Sequence, residues 1–247
     1  MTSAASPRGL CFDYGKTLVQ FARPENAIAA AGTRLADELS LDPSRWSGTA
    51  AEFALSLDHL LEELIGSGQK ADPWREVDFR AIHRQALCQL QGSWPSFETS
   101  DRVAAAIQRA WVEGVEVVPE ARLSLIAARA MGLRTGLCSN APFPPDLMYE
   151  QLERLDLRQY FDAVLFSSEI GWRKPDPRIF AELLTRLGLP ATSVWFVGDE
   201  WEADIEGSRS AGMRAILAPA AAVPPGEVEQ LSRWADLPSL LEQAAIS

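Results

Sequence analysis

Residues Pro119 to Ser139 read PEARLSLIAARAMGLRTGLCS, and they decide the fold class. The stretch up to Gly132 has the texture of a helix closed by that glycine, and the apolar RTGLCS after it reads as a buried strand. The same unit recurs downstream. AVLFSS at 163–168, SVWFVG at 193–198 and MRAILA at 213–218 are further apolar strands, separated by helices such as DPRIFAELLTRLG. With a first strand running from Gly9 to Asp13, five strands alternate with helices. Such alternation predicts a doubly wound, Rossmann-like parallel α/β sheet with helices on both faces.

One long interruption separates the first strand from the rest. From Pro24 to about Gly114 no convincing strand occurs. Ile28, Ala31, Leu35 and Leu39 keep helical spacing, as do Phe53, Leu57, Leu60, Leu61 and Leu64. Breaks are expected at Asp42-Pro43, Gly66-Ser67-Gly68, Asp72-Pro73 and Gly92 to Pro95. The chain therefore divides into an α/β core, residues 1–19 and 115–247, and an inserted all-helical cap, residues 20–114.

Composition narrows the function classes. The 34 acids outweigh the 23 bases and give a net charge of -11, with no run of Lys or Arg to track a phosphate backbone, so nucleic acid is not an expected partner. The three cysteines, Cys11, Cys88 and Cys138, are too few and too scattered for a disulfide framework or a zinc ribbon. The opening MTSAASPRG lacks a signal-peptide pattern, and the longest apolar run, around Ala215 to Val223, contains a proline and is far too short to cross a membrane. A cytoplasmic protein acting on a small molecule is expected, and no heptad seam speaks for a particular oligomeric state.

In an open parallel sheet, ligands bind beyond the carboxyl ends of the strands. Here those ends carry Asp13, then Ser139-Asn140, then Ser167-Ser168-Glu169 leading to GWRKPDP with Lys174, and finally GDEWEAD with Asp199 and Asp204. Each residue alone has a plain alternative as a turn former or helix cap. Together, carboxylates, a hydroxyl and an ammonium at one edge describe a hard-cation site beside an anion site.

At these residues the chain resembles the haloacid dehalogenase-like hydrolase superfamily. FDYGKTL, LCSNA, GWRKPDPRIF and VGDEWEADIEGSRSAGM look like its four ordered motifs, in the subgroup whose helical cap lies between the first and second. The resemblance implies a Mg²⁺-dependent hydrolase of a small phosphorylated metabolite, with Asp13 as the nucleophile that becomes an aspartyl-phosphate and Thr17 holding its turn. It implies Mg²⁺ ligands from Asp13, the Gly15 carbonyl and Asp199, with Asp204 in the outer shell or orienting Lys174. It also implies a phosphate site made by Ser139, Asn140 and Lys174. A carboxylate attacking phosphorus needs such countercharge, because nucleophile and phosphoryl group are both anionic.

The sequence departs from the family at Gly15. Phosphatases of this kind carry a second aspartate there, which protonates the leaving oxygen, and general acid–base help of that sort is worth about 10²–10⁴-fold. Four readings stay open. A phosphatase draws its acid from Lys16, from water or substrate, or from Glu25, His59 or His83 in the cap. A haloacid dehalogenase needs no acid, although that branch gives up the metal-binding acid that Asp199 represents. A phosphonatase-like hydrolase would use a cap lysine, and Lys70, in an expected inter-helix loop, is the one available. A non-catalytic, vestigial binding protein needs neither.

Overall fold

The computed structural model describes residues 6–36, 46, 48–219 and 221–246. The expected break at Asp42-Pro43, and Leu39 before it, lie outside the described residues. The rest of the chain groups into two compact units, one comprising Met1–Phe21, Glu116–Ala141 and Leu152–Ser247, the other Ala22–Val115 and Pro142–Gln151.

The first unit is built on a six-stranded parallel sheet. Its strands are β1 (Gly9–Phe12), β4 (Arg134–Ser139), β5 (Ala163–Phe166), β6 (Val194–Gly198), β7 (Arg214–Leu217) and β8 (Glu229–Gln230), in the spatial order β5-β4-β1-β6-β7-β8. Two shorter strands, β2 (Val19–Phe21) and β3 (Val115–Val117), pair separately. This is the expected Rossmann-like architecture. β1 lies at the centre, with Phe12 opposite Leu137 on one side and Val197 on the other. The chain order therefore reverses direction around β1, which puts the carboxyl ends of β1, β4 and β6 side by side.

The sheet is held by apolar burial on both faces. Cys11, Cys138, Leu165 and Phe196 form one cluster with Ile179, Phe180, Leu183 and Leu187 from α8 (Pro177–Leu187). On α5 (Pro119–Ala130), Ala121, Leu125 and Ala128 are fully buried, and Ser124 Oγ donates at 2.8 Å to the Trp234 carbonyl. Full burial of one such Leu or Phe side chain is worth about 1.5–3 kcal/mol. Gly132, with φ +80°, ends the α5 segment in the left-handed conformation that glycine adopts without a Cβ clash.

Two details of the sheet differ from expectation. β5 stops at Phe166, because Ser167–Ile170 winds into one helical turn, α7, whose Glu169 carboxylate accepts from the Phe166 N–H at 2.9 Å. Local capping outcompetes strand extension there. The polar two-residue β8 adds a sixth strand that no apolar run announces.

The second unit is helical: α1 (Glu25–Arg34), α2 (Ala50–Ala71), α3 (Phe79–Gln91) and α4 (Phe97–Trp111) bury Ile28, Phe53, Leu57, Leu87, Val103 and Ile107 together. α2 opens on a capping box, with Thr49 Oγ1 accepting from the Glu52 N–H and the Glu52 carboxylate accepting from Thr49. Pro142–Gln151 joins this unit through Phe143, edge-on to Phe79 at 5.4 Å, and through the Arg109–Glu150 ion pair at 2.9 Å. This stretch includes the start of α6 (Pro145–Arg154).

The expected break at Gly66-Ser67-Gly68 is corrected: α2 runs through it unbroken. A glycine costs a helix about 1 kcal/mol, which a long packed helix absorbs. Gly68 also lets Val77 approach, since a Cβ there would lie 2.8 Å from Val77 Cγ1. Lys70 consequently sits in the last turn of α2, exposed, and not in a loop.

His83 in α3 is 1% exposed, with Nδ1 2.8 Å from Ser100 Oγ and Nε2 buried without a hydrogen-bond partner. Burial pulls its pKa down to about 4, against a small opposing influence of Asp101. The unfolded imidazole titrates near 6.5, so between those values the unfolded chain holds the extra proton and stability falls as pH falls. Urea unfolding is expected to show a loss of about 2 kcal/mol from this residue between pH 7.5 and pH 5. The difference between wild type and His83→Gln reads it directly, and equal pH slopes for the two proteins would contradict it.

Candidate active site

The ladder of β1 extends one residue past its end, with the Asp13 N–H donating to the Val197 carbonyl at 2.9 Å. This fixes Asp13, 7% exposed, at the carboxyl edge of the sheet. The chain then turns tightly. Leu18 and Val19 N–H groups both donate to the Tyr14 carbonyl, and Lys16 N–H donates to the Val19 carbonyl at 2.7 Å. Lys16 takes φ +60°, unusual for a side chain with a Cβ. Thr17, 1% exposed, donates from Oγ1 to Asp199 Oδ1 at 3.2 Å and so ties this turn to the end of β6.

Gly15 is not among the glycines with positive φ. Its reason is a close approach: a Cβ at residue 15 would lie 2.9 Å from Phe21 Cε2. Phe21 stands edge-on to Tyr14, with ring centroids 6.1 Å apart, and is 48% exposed. The space in which a side chain at 15 would begin is thus filled by an aromatic ring.

Lys174 joins the strand ends. Its main chain is clamped by Asn140, whose Oδ1 accepts from the Lys174 N–H at 2.7 Å while Nδ2 donates to the Lys174 carbonyl at 3.0 Å. Its ammonium, 3% exposed, donates to Asp13 Oδ1 at 2.6 Å, Asp204 Oδ1 at 2.7 Å and the Cys138 carbonyl at 2.9 Å. Three protons meet three acceptors, so the group is fully used.

Asp204 is equally committed. It lies in the π-helical turn Trp201–Glu206, and its second oxygen accepts from the N–H groups of Asp199 and Glu200 at 3.1 and 3.0 Å. Gly198 makes room for it, because a Cβ there would fall 2.4 Å from the Asp204 carboxylate. Ser139, 5% exposed, has its main chain in the β4–β5 ladder, and its hydroxyl has no hydrogen-bond partner among the described residues, which leaves it available as a donor to a ligand.

Asp13, Asp199 and Asp204 each offer a carboxylate oxygen within 4.8 Å of the other two. Burial raises the Asp13 carboxyl to about 7, with Lys174 pulling it down and Asp204 and Asp199 pushing it up. Burial raises Asp199 as well, reinforced by Asp204 and Glu200. Lys174 is the reverse case: burial works against its charge, but Asp13 and Asp204 outweigh burial and raise its pKa. Two of the carboxylates, Asp13 and Asp204, share the Lys174 ammonium, while Asp199 has Lys16 acting on it at longer range, so the cluster holds more negative charge than its direct ion pairs offset. Two carboxylates keep an oxygen free of side-chain partners, on Asp13 and Asp199, while both oxygens of Asp204 are spent. That donor set suits a hard divalent cation such as Mg²⁺ held by Asp13 and Asp199, with Asp204 behind them.

The residues singled out in the sequence, Asp13, Gly15, Thr17, Ser139, Asn140, Lys174, Asp199 and Asp204, all stand on the carboxyl side of the sheet. The stretch Ser167-Ser168-Glu169 serves structure instead: Ser167 Oγ bonds both main-chain groups of Ala141, and Glu169 pairs with Arg186 at 2.8 Å. Glu25, His59 and His83 all belong to the helical unit; His59 is paired with Arg23 and His83 is sealed in the core. Sequence reasoning missed Phe21 and the Cys138 carbonyl. A glycine beside a nucleophile without a turn that demands it was the available signal for the first.

Comparison with known proteins follows the same lines. A family model described as haloacid dehalogenase-like hydrolase matches residues 7–212. The chain is 30% identical over 206 residues to a ribulose-1,5-bisphosphate 5-phosphatase of Halopiger xanaduensis, covering 83% of this chain and 82% of that protein. It is 36% identical over 146 residues to a phosphoserine phosphatase of Thermus thermophilus, covering 59% of this chain; the chain thus spans only about half, 55%, of that relative's length. Among solved structures, a 2-haloacid dehalogenase from Pseudomonas syringae pv. Tomato DC3000 superposes with a TM-score of 0.66 at 25% identity, covering 96% of this chain and 99% of the other.

Proposed function

The chain belongs to the haloacid dehalogenase-like hydrolases, and from that premise we propose that it is a Mg²⁺-dependent phosphatase of a small phosphorylated metabolite working through an aspartyl-phosphate on Asp13. The observation that supports the reading is the cluster of Asp13, Asp199 and Asp204, with Lys174 paired to the first and last, a donor set suited to a cation beside a nucleophile. The similarity to phosphatases supports it.

In this reading Asp13 attacks phosphorus with the carboxylate oxygen that Lys174 does not hold, while the oxygen that Lys174 holds keeps a second lone pair for the cation. Lys174 stands as the countercharge to the phosphoryl group and pairs with its developing negative charge. Ser139 Oγ and the Asn140 main chain donate to the phosphoryl group. Thr17 keeps Asp199 in place, and Asp204 keeps Lys174 and the β6 loop in place. When bound, Mg²⁺ supplies the positive charge that offsets repulsion between the carboxylate and the phosphoryl oxygens. Residues 20–114 are assigned as the cap that selects the substrate, with 1–19 and 115–247 as the catalytic core. The unpaired thiols of Cys11, Cys88 and Cys138 fit a reducing, cytoplasmic setting, and among the described residues no helix is long and apolar enough to cross a membrane.

Hydrolysis of p-nitrophenyl phosphate with and without Mg²⁺ tests the proposal. Chelation is expected to cut turnover by about 10²-fold or more, as loss of several kcal/mol of charge stabilisation requires. Mg²⁺ is also expected to raise the unfolding midpoint of the wild type but not of Asp199→Asn. Gly15 and the likeness to a 2-haloacid dehalogenase favour a second reading, attack of Asp13 on carbon. Halide release from a 2-haloacid in the absence of metal would establish that reading in place of the first.

A further inference from the structure

Resting on the phosphatase reading, we propose that the site takes phosphates whose leaving group departs as an anion stable at neutral pH, a carboxylate or an arenolate, and that the Phe21 ring is the apolar wall against which that leaving group packs.

The first ground is the commitment of the proton-bearing groups at the strand ends beside Asp13, with Lys16 in the turn after it probed by substitution below. Lys174 gives its three protons to Asp13, Asp204 and the Cys138 carbonyl. Asp204 accepts three hydrogen bonds and has no oxygen left to carry a proton to substrate. Asp199 is an acceptor for Thr17. Ser139 offers a hydrogen bond and not a proton at neutral pH.

The second ground is independent and geometric. Position 15 does not merely lack a carboxylate: the ring of Phe21 fills the first shell of space that a side chain there would enter, at 2.9 Å from the Cβ position. Phe21 is nearly half exposed although it is large and apolar, and it is braced by Tyr14. An exposed ring over Gly15, two residues along from the nucleophile, is apolar contact surface where a proton donor would otherwise stand.

The chemistry then selects the substrate. In the first step the Asp13 oxygen bonds to phosphorus and the bond from phosphorus to the leaving oxygen breaks, with the electron pair leaving on that oxygen. An alkoxide, about as basic as hydroxide, needs a proton at that moment. A carboxylate or arenolate does not, and with an acyl phosphate the site exchanges one acyl phosphate for another on Asp13, a near-balanced transfer. In the second step water adds to phosphorus, the bond to Asp13 breaks with its electron pair returning to the carboxylate, and both water protons leave on inorganic phosphate.

The test uses the full chain with Mg²⁺ and three substrates: acetyl phosphate, p-nitrophenyl phosphate and glycerol 3-phosphate. The alkyl ester is expected to have a kcat/KM about 10²–10⁴-fold below the better of the other two, the range general acid help normally covers. Whichever of acetyl and p-nitrophenyl phosphate is faster identifies the carboxylate or the arenolate as the leaving group. Alkyl turnover within tenfold of the others, or alkyl turnover lost in Lys16→Ala, would overturn the proposal and leave the phosphatase reading standing. No turnover of any of the three would sink both. Phe21→Ala is expected to raise KM for p-nitrophenyl phosphate several-fold while leaving that for acetyl phosphate unchanged, and equal effects on both would remove Phe21 from its role. Gly15→Asp alone forces the ring aside, so the double variant Gly15→Asp/Phe21→Ala carries the reciprocal test. A gain of tenfold or more on glycerol 3-phosphate supports the assignment, and no gain contradicts it.

Discussion

Asp13→Asn is expected to reduce turnover of every phosphate substrate by about 10⁴-fold or more, the scale on which removal of a nucleophile acts in covalent catalysis. The amide is nearly isosteric, and its oxygen can still accept from Lys174, so the 2.6 Å contact keeps its geometry. The fold is expected to be no less stable than wild type in the absence of metal. Asp13 is one of three clustered carboxylates and shares the Lys174 ammonium with Asp204, and burial already pushes its carboxyl up to about 7, so ionising it costs stability. Loss of activity together with an unchanged or raised unfolding midpoint would mark Asp13 as a group kept for chemistry at the expense of the fold. A destabilised Asp13→Asn protein would mean that the Asp13–Lys174 pair is structural first.

Lys174→Met is expected to behave in the opposite way. It removes the cation that Asp13 and Asp204 both approach within 2.7 Å, and it leaves their carboxylates facing each other with 7% and 1% exposure. Removing one partner of a buried pair typically costs about 3–5 kcal/mol, because the other charge is left uncompensated. Urea unfolding in the absence of metal should show a loss of that size, together with loss of turnover. Lys174→Met/Asp13→Asn should recover part of the stability and none of the activity, since one of the two stranded charges is removed. If Lys174→Met proved as stable as wild type, the charge balance described for the cluster would be wrong.

The contrast between these variants reflects what a sequence can reveal. Asp13, Ser139 and Asp199 were legible because parallel strands deliver their carboxyl ends to one edge, so residues far apart in the chain, such as Asp13 and Lys174, meet by topology. The parallel sheet followed from the alternation of apolar runs with helices, and the helical insert from the spacing of Ile28, Ala31, Leu35 and of Phe53, Leu57, Leu61. The reading failed where a local preference was overruled by packing: the glycines at 66 and 68 looked like a break, but α2 buries Phe53, Leu57 and Leu61 and carries the helix through them. It failed as well where the deciding contact is between side chains with no pattern of their own. Nothing in FDYGKTL says that Phe21 lies over Gly15, or that all three Lys174 protons are committed, because both depend on how a turn closes and how Asn140 clamps the main chain that delivers the ammonium.

The account stands or falls on a covalent phosphoryl group at Asp13. The direct measurement is to mix the Mg²⁺-loaded protein with p-nitrophenyl phosphate or acetyl phosphate, quench in acid within a turnover, and map the phosphoryl group by mass spectrometry of peptides. The expected result is an acid-stable, base-labile phosphoryl group on the peptide containing Asp13, absent from Asp13→Asn and discharged when the reaction is left to run out. Turnover with no phosphoryl group on Asp13 at any time, or a phosphoryl group on another residue, would contradict it.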